Sequence, residues 1–291
     1  MLSILNNNEL WATHGSLLND KDEVKYFSDL FKKVISIKFT DTKAREFHLF
    51  MFEKQIAQLD EDVYVISFSR SNDNIGLWSS YSEAEGCCIA FDKQKLLKSI
   101  QGSFNRPLTD FGDGTVYSIT HKDNILIPNN KFNLTIENQN TILGNILCGD
   151  ISYDEKSILT DLNDSLDTWI KLKHECNSDD NFFIPDFFIE NVLDKQYFIK
   201  RSGFSNEEEY RILIKIRNRN YGNNYMHFRN KKNIIIPYLR INISGLFQII
   251  PKIILDPMSD FESSKKGLDI YFQSQGINSI EIEKSGLKKR Y

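Results

Sequence analysis

From Glu209 to Ile216 apolar residues recur at a two-residue step: Tyr210, Ile212, Ile214 and Ile216 fall on every second position, with Glu209 and Arg211 flanking the first of them. Successive side chains of a strand point to opposite faces. The stretch therefore predicts a strand with one apolar and one charged face, and a chain that holds it must build a sheet. Glu207 extends the charged set by the same two-residue step, so Glu207, Glu209 and Arg211 are expected on one strand face. Two carboxylates and a guanidinium in a row are costly to bury. Such a face meets solvent, pairs its charges internally, or lines a functional cleft.

Other segments supply the rest of a mixed architecture. Strands are predicted at Glu9 to Thr13, Val63 to Ser69, Gly86 to Phe91, Ile234 to Tyr238, Phe247 to Leu255 and Ser279 to Ile282. Apolar residues recur at helical spacing over about Asp22 to Ile37, Thr42 to Leu59 and Asp154 to Lys173, with a short helix at Ile75 to Tyr81. Pro185 and Asp186 suit the entrance of a helix at about Phe187 to Lys200. Ser259 and Glu262 form a capping-box pattern for a helix ending at Gly276. Strands interleaved with helices, then clustered strands, predict an α/β (α+β) fold with helices packed on a mixed sheet. We read residues 1–291 as a single domain, with the polar, Asn-rich segment 101–181 as an insertion or cap within it.

Composition bounds the function classes. A net charge of −4 over 291 residues argues against a general nucleic-acid coat or a membrane-surface binder. No apolar run has the length of a membrane span, and Met1 to Leu10 lacks the layout of a signal peptide. Cys87, Cys88, Cys148 and Cys176 include no C-x-x-C pair, so no zinc and no disulfide are expected. These features together predict a soluble cytoplasmic protein.

Three polar islands can carry chemistry. Asn19, Asp20 and Glu23 precede a helix, and capping explains them at least as well as catalysis. Ser67 and Ser69 share a strand face with Val63 and Val65, so that face turns polar at its C-terminal end, where open α/β sheets bind ligands. Trp78 and Tyr81, one helical turn apart, can stack on a planar ring or simply pack at the edge of the core. The third island is Glu207, Glu209 and Arg211. Of the histidines, only His14 lies beside an island. No Gly-rich phosphate loop or G-x-S-x-G elbow occurs.

In order along the chain the motifs are Leu10-Trp11 and Asn19-Asp20-x-x-Glu23; Ser67-Phe68-Ser69, Asp73-Asn74 and Leu77-Trp78-x-x-Tyr81; Gly86 to Asp92; Val116-Tyr117; Phe204-x-x-Glu207-x-Glu209-Tyr210-Arg211; and Ile253 to Pro257. This order resembles the bacterial domain-of-unknown-function 2971 family, from about Leu10 to Ile282. The chain departs from that pattern at Lys21, where the family usually has Pro, and at Asp256-Pro257, where it usually has Gly-Pro. The layout is also similar to that of the ADP-ribosyltransferases, which have a split sheet. That second resemblance implies NAD as substrate, with Glu209 as the catalytic carboxylate assisted by Glu207. It further implies Ser67, Ser69, Trp78, Tyr81, His14 and Arg211 around the dinucleotide. A fixed carboxylate suits an oxocarbenium-like transition state.

Three functions stay open at this point. The first is an ADP-ribosyltransferase-like enzyme acting on a macromolecular acceptor, protein or nucleic acid, as a bacterial toxin or anti-phage defence effector. The second is a metal-dependent hydrolase or nuclease holding magnesium through Asp20, Glu23, Glu207 and Glu209. The third is a non-catalytic binding or regulatory subunit, with an antitoxin or defence-system partner.

Overall fold

The computed structural model describes residues 1–18, 22–58, 61–82, 86–104, 108–110, 116–117, 143–175, 192–217, 226–231 and 233–287. They divide into two compact units. The first comprises residues 1–15, 62–149 and 206–291, and the second 16–61 and 150–205. Segment 101–181 is shared between them, and much of it lies outside the described residues.

The first unit is built on sheets, and the fold class is α+β. An eight-stranded sheet runs in the order β5-β4-β6-β7-β2-β1-β9-β8. Its strands are β1 (Glu9–His14), β2 (Glu61–Ser69), β4 (Leu108–Asp110), β5 (Val116–Tyr117), β6 (Leu143–Asp150), β7 (Glu209–Arg217), β8 (His227–Lys231) and β9 (Ile234–Asn242). β1 pairs antiparallel with β2 and β9, and β4 pairs parallel with β6, so the sheet is mixed. A smaller sheet joins β10 (Lys252–Leu255), parallel to β11 (Glu281–Lys284) and antiparallel to β3 (Cys87–Ile89). Period-2 alternation sets which residues are inside: Tyr64 and Ile66 of β2 and Tyr210, Ile212 and Ile214 of β7 share one apolar core. Helices α1 (Leu2–Asn7), α5 (Lys93–Phe104), α7 (Leu246–Ile249) and α8 (Phe261–Ser274) contribute Leu5, Leu97, Ile100, Leu246 and Phe272 to it. A short helix α4 (Ile75–Tyr81) starts at Asn74, whose side chain accepts from the Gly76 and Leu77 N–H groups.

The second unit is helical: α2 (Glu23–Lys38), α3 (Thr42–Gln58) and α6 (Glu155–Glu175) surround a separate core. Phe27, Leu30, Phe31 and Val34 of α2 meet Ile158, Leu162, Leu166 and Trp169 of α6, each set at the three- and four-residue steps of one helix face. Emptying such a site, as in Phe31→Ala, costs about 3–5 kcal/mol.

Four elements differ from the sequence reading. Phe247 to Leu255 is not one strand, because Gly245 (φ 67°) opens the one-turn helix α7 and only Lys252–Leu255 is extended. The cap of α8 is Asp260, whose carboxylate accepts from the Ser263 N–H, while Ser259 Oγ donates to the Asp256 carbonyl. The end of the expected Phe187–Lys200 helix is a 3-10 turn at Lys195–Tyr197, and its beginning lies outside the described residues. Helix α5 was not anticipated, although Leu96, Leu97, Ile100 and Phe104 carry its period.

Candidate ligand-binding cavity

Strand β2 ends where its polar residues begin, and a cavity of about 760 Å³ opens there within the first unit. Its volume lies within the range of about 300–1,000 Å³ common for small-molecule sites. Ile66, Ser67, Phe68, Ser69, Arg70 and Ser71 form one wall. Cys87, Cys88 and Phe91 come from β3 and its exit, and Lys93, Leu96 and Leu97 from the start of α5. Tyr210 and Ile212 of β7, Trp11 of β1 and Arg229 of β8 also line it. Among the described residues the lining holds three cationic side chains and no Asp or Glu.

The wall is fixed by backbone contacts at the junction of β2 and β7. Ser69 Oγ donates to the Glu207 carbonyl at 2.8 Å, and the Arg70 N–H donates to the Glu208 carbonyl at 2.8 Å. Ser69 Oγ also accepts from the Ser71 N–H. Two cations meet the Tyr210 ring: Arg70 Cζ at 4.7 Å and Lys93 Nζ at 4.5 Å from its centroid. Both are within cation–π range. Arg229 donates to Thr13 Oγ1 at 2.9 Å and stands 5.7 Å from the Trp11 ring.

The predicted site residues separate. Ser67 and Ser69 line the cavity, but the Ser69 hydroxyl is engaged in the turn that follows β2. Glu207, Glu209, Arg211, Trp78, Tyr81 and His14 are not lining residues. Glu207 does not continue the charged strand face either. It ends the 3-10 helix Ser202–Glu207, and Glu208 (φ 44°) breaks the two-residue register before β7 begins at Glu209.

Glu209 lies on the face of β7 opposite Tyr210, almost wholly buried, where Arg211 grips it with Nε to Oε1 at 2.6 Å and an η nitrogen to Oε2 at 3.0 Å. That is a forked ion pair within one strand. Trp78 and Tyr81 have different surroundings: the indole is buried and donates to Asp73 Oδ1 at 2.7 Å, while Tyr81 is 58% exposed. The two lie only about 60° apart around the helix, so the edge of the core passes between neighbouring positions. His14 Nε2 is 3.3 Å from Asp62 Oδ1, and its ring meets Tyr64 edge-on.

Asp73 is a junction of another kind. Its carboxylate takes Trp78 Nε1, Ser285 Oγ at 2.6 Å and the Gly286 N–H at 2.8 Å, fastening the end of β11 beside α4. Partial burial pushes this carboxyl up, but the bonds from Ser285, Trp78 and the Gly286 and Leu287 backbones outweigh it and hold the group below its ordinary value. Burial raises the Cys87 and Cys88 thiols, with Asp73 adding to the effect on Cys88. Cys87, Cys88 and Cys148 are free thiols, while Cys176 lies outside the described residues.

No group of three His, Cys, Asp or Glu suited to a metal ion occurs among the described residues. Asp20 of the expected magnesium set lies outside them, as does the Glu23 side chain. No helix among the described residues is long and apolar enough to cross a membrane.

Sequence reasoning missed Arg70, Lys93, Arg229, Trp11 and Tyr210 as a set. Each stands at a strand end, a helix start or an alternating position with nothing local to mark it. Together they define an α+β protein with a cationic cavity at the end of a central strand. The model of the family described as "Protein of unknown function (DUF2971)" matches residues 77–212. This bears out the resemblance over the stretch holding Leu77 to Tyr81, Gly86 to Asp92 and Phe204 to Arg211. No curated protein and no solved structure matches the chain.

Proposed function

We propose that the chain binds an anionic nucleotide in this cavity, with NAD as the first ligand to test, in the manner of an ADP-ribosyltransferase-like enzyme. The supporting observation is the lining: Arg70, Lys93 and Arg229 with hydroxyls and aromatic rings, and no carboxylate among the described lining residues. Cations focus anions into a low-dielectric cleft, and Trp11, Phe68 and Phe91 offer apolar surface to a base or nicotinamide ring. Turnover requires a carboxylate beside the sugar cation as nicotinamide leaves. Glu209 is committed to Arg211 on the other face of β7. Glu207, whose carbonyl is held by the cavity-lining Ser69, is the better candidate.

The test is calorimetric titration with NAD together with nicotinamide release, for wild type and Glu207→Gln. Binding with release that falls about a hundred- to a thousandfold in Glu207→Gln supports the transferase. A second reading has its own observation, since a locked Glu209–Arg211 pair suits a ligand-binding subunit that does no chemistry. NAD binding with no nicotinamide release in wild type favours that reading, and no nucleotide binding removes both. Toxicity on expression, and an acceptor or antitoxin partner, become questions once release is measured.

A further inference from the structure

We propose that the sheet face carrying Trp11, Tyr238 and His227 is a binding surface for single-stranded nucleic acid. The surface goes beyond the nucleotide reading and stands without it. Pairing register sets the face. Thr13 lies opposite Tyr238, and Tyr238 opposite His227, so β1, β9 and β8 present these side chains to one side. The two-residue period adds Glu9 and Trp11 of β1, Arg240 of β9, and Arg229 and Lys231 of β8. The three rings make one row: the Tyr238 centroid is 4.6 Å from that of Trp11 and 5.7 Å from that of His227. Tyr238 is buried and fills the middle of the row, whereas Trp11 and His227 are half-buried, leaving the outer two as the rings open to a base.

The charges around the row suit a polyanion. Arg229 Cζ stands 5.7 Å from the Trp11 centroid and 5.8 Å from that of Tyr238, and its guanidinium donates to the neutral Thr13 hydroxyl. Lys231 is exposed two residues further along β8. Arg240 pairs at 2.7 Å with Glu9, the one carboxylate that these three strands place on this face. Three cations thus meet one anion, in a chain whose total charge is −4, so attraction for a polyanion is local to this face. Burial first, and the Arg240 charge second, push His227 below its ordinary value against a smaller pull from Glu9, so at neutral pH it is an uncharged ring. Rings with cations beside them serve unpaired bases and their phosphates, because every base has a π-face to stack. A duplex keeps its base faces covered and can use the cations alone. Trp11 and Arg229 line the cavity as well, so the surface reaches the cavity rim. Cross-strand ring pairs also steady a sheet, and that role by itself gives no affinity for nucleic acid.

The probes are fluorescein-labelled oligothymidylate and oligouridylate of about twelve nucleotides, within the usual span of a single-strand site, and a duplex of the same length. Anisotropy is read on the full chain without NAD over a range of salt, and thermal midpoints are recorded for each variant. Single strands are expected to bind wild type at least about tenfold more tightly than duplex. Trp11→Ala should weaken them about tenfold, the scale of one lost stacked base, and Trp11→Phe should keep most of the affinity. Lys231→Gln should lower the slope of log affinity against log salt by about one, and Lys265→Gln on α8 should leave it unchanged. Photo-crosslinking of an iodouracil-substituted strand, followed by peptide mapping, should attach it to β1 or β8.

Absence of single-strand binding to wild type at low salt overturns the surface. So does equal affinity for duplex, or competition by polyglutamate as effective as by unlabelled strand, because either means charge alone. Crosslinks confined to segments outside β1, β8 and β9 overturn it too. If the Trp11→Ala midpoint falls, Trp11→Phe and the exposed Lys231→Gln decide: affinity in Trp11→Phe as weak as in Trp11→Ala, or an unchanged salt slope in Lys231→Gln, removes the surface. NAD binding with none of these effects leaves the nucleotide reading standing. Single-strand binding with no NAD binding keeps this surface and ends that reading.

Discussion

On one face of β7 Tyr210 carries two cations at the wall of a cavity, while on the other Glu209 and Arg211 neutralise each other out of reach of solvent. Residues one position apart therefore hold charge for opposite ends. A buried forked pair ties its two charges to each other, so it fixes the strand locally. Arg70 and Lys93, by contrast, stand against a ring at the wall of a cavity that both of them line. The difference shows that burial and partners, not residue type, decide whether a charged row is scaffold or site.

The sharpest way to break this comparison is Glu209→Gln. If the pair is scaffold, the change takes a charged partner from the buried Arg211 and lowers the unfolding free energy by about 3–5 kcal/mol. Replacing both partners by Met should recover much of that loss, because the desolvation cost disappears with the charges. Urea denaturation of the two variants decides it. A Glu209→Gln protein as stable as wild type that loses only nicotinamide release would return Glu209 to the catalytic role implied by the transferase layout.

A smaller effect is expected at Asp73, where a carboxylate holds structure together at the surface rather than in the sheet. Its folded-state titration lies below the ordinary carboxylate value, so its contribution is present above the unfolded value of 3.8. The contribution is lost as pH falls through the still lower folded value. Wild type should lose stability on acidification from pH 5 to pH 3 more steeply than Asp73→Asn. At pH 7 the variant should be weaker by roughly 1–2 kcal/mol, the scale of hydrogen bonds to a charged group. Parallel pH curves for the two proteins would show that Ser285 and Trp78 gain nothing from that charge.

Much of the scaffold could be read in advance, because it is written in short-range periods. The alternation in Val63 to Ser69 and in Tyr210 to Ile216 gave both central strands, and helical spacing gave α2, α3 and α6. The charged row was legible as a row, but its partner choice was not. Closing Glu209 on Arg211 depends on both being buried, which composition does not encode. Glu207 was misplaced because period-2 extrapolation cannot see a left-handed residue at Glu208. The cavity itself is a long-range object. Arg70, Lys93 and Tyr210 are brought together by the pairing of β2 with β7 and the seating of α5, and no local pattern links them.

The smallest expected effect tests whether the cavity wall is as closed to reagents as its burial implies. Cys87 and Cys88 both line the cavity, and burial raises both thiols above the ordinary value of 9.0, with Cys88 pushed further by the Asp73 carboxylate. Only the thiolate is nucleophilic. At pH 8 alkylation by iodoacetamide should therefore run slower than for the same thiols in urea. Its rate should keep climbing about tenfold per pH unit past pH 9 instead of levelling there. Asp73→Asn removes the charge that disfavours the Cys88 thiolate, so its rate at fixed pH should rise, by about twofold given the surface screening of that charge. Peptide mapping after timed labelling separates Cys88 from the Cys87 beside it. A ligand that fills the cavity should slow both thiols together while leaving Cys148 unchanged, since Cys148 is buried but does not line the cavity. Fast labelling of Cys87 and Cys88 at pH 8, indifferent to NAD or pyrophosphate, would mean that this wall opens on its own and that the cavity is not the ordered counterpart to the buried face of β7.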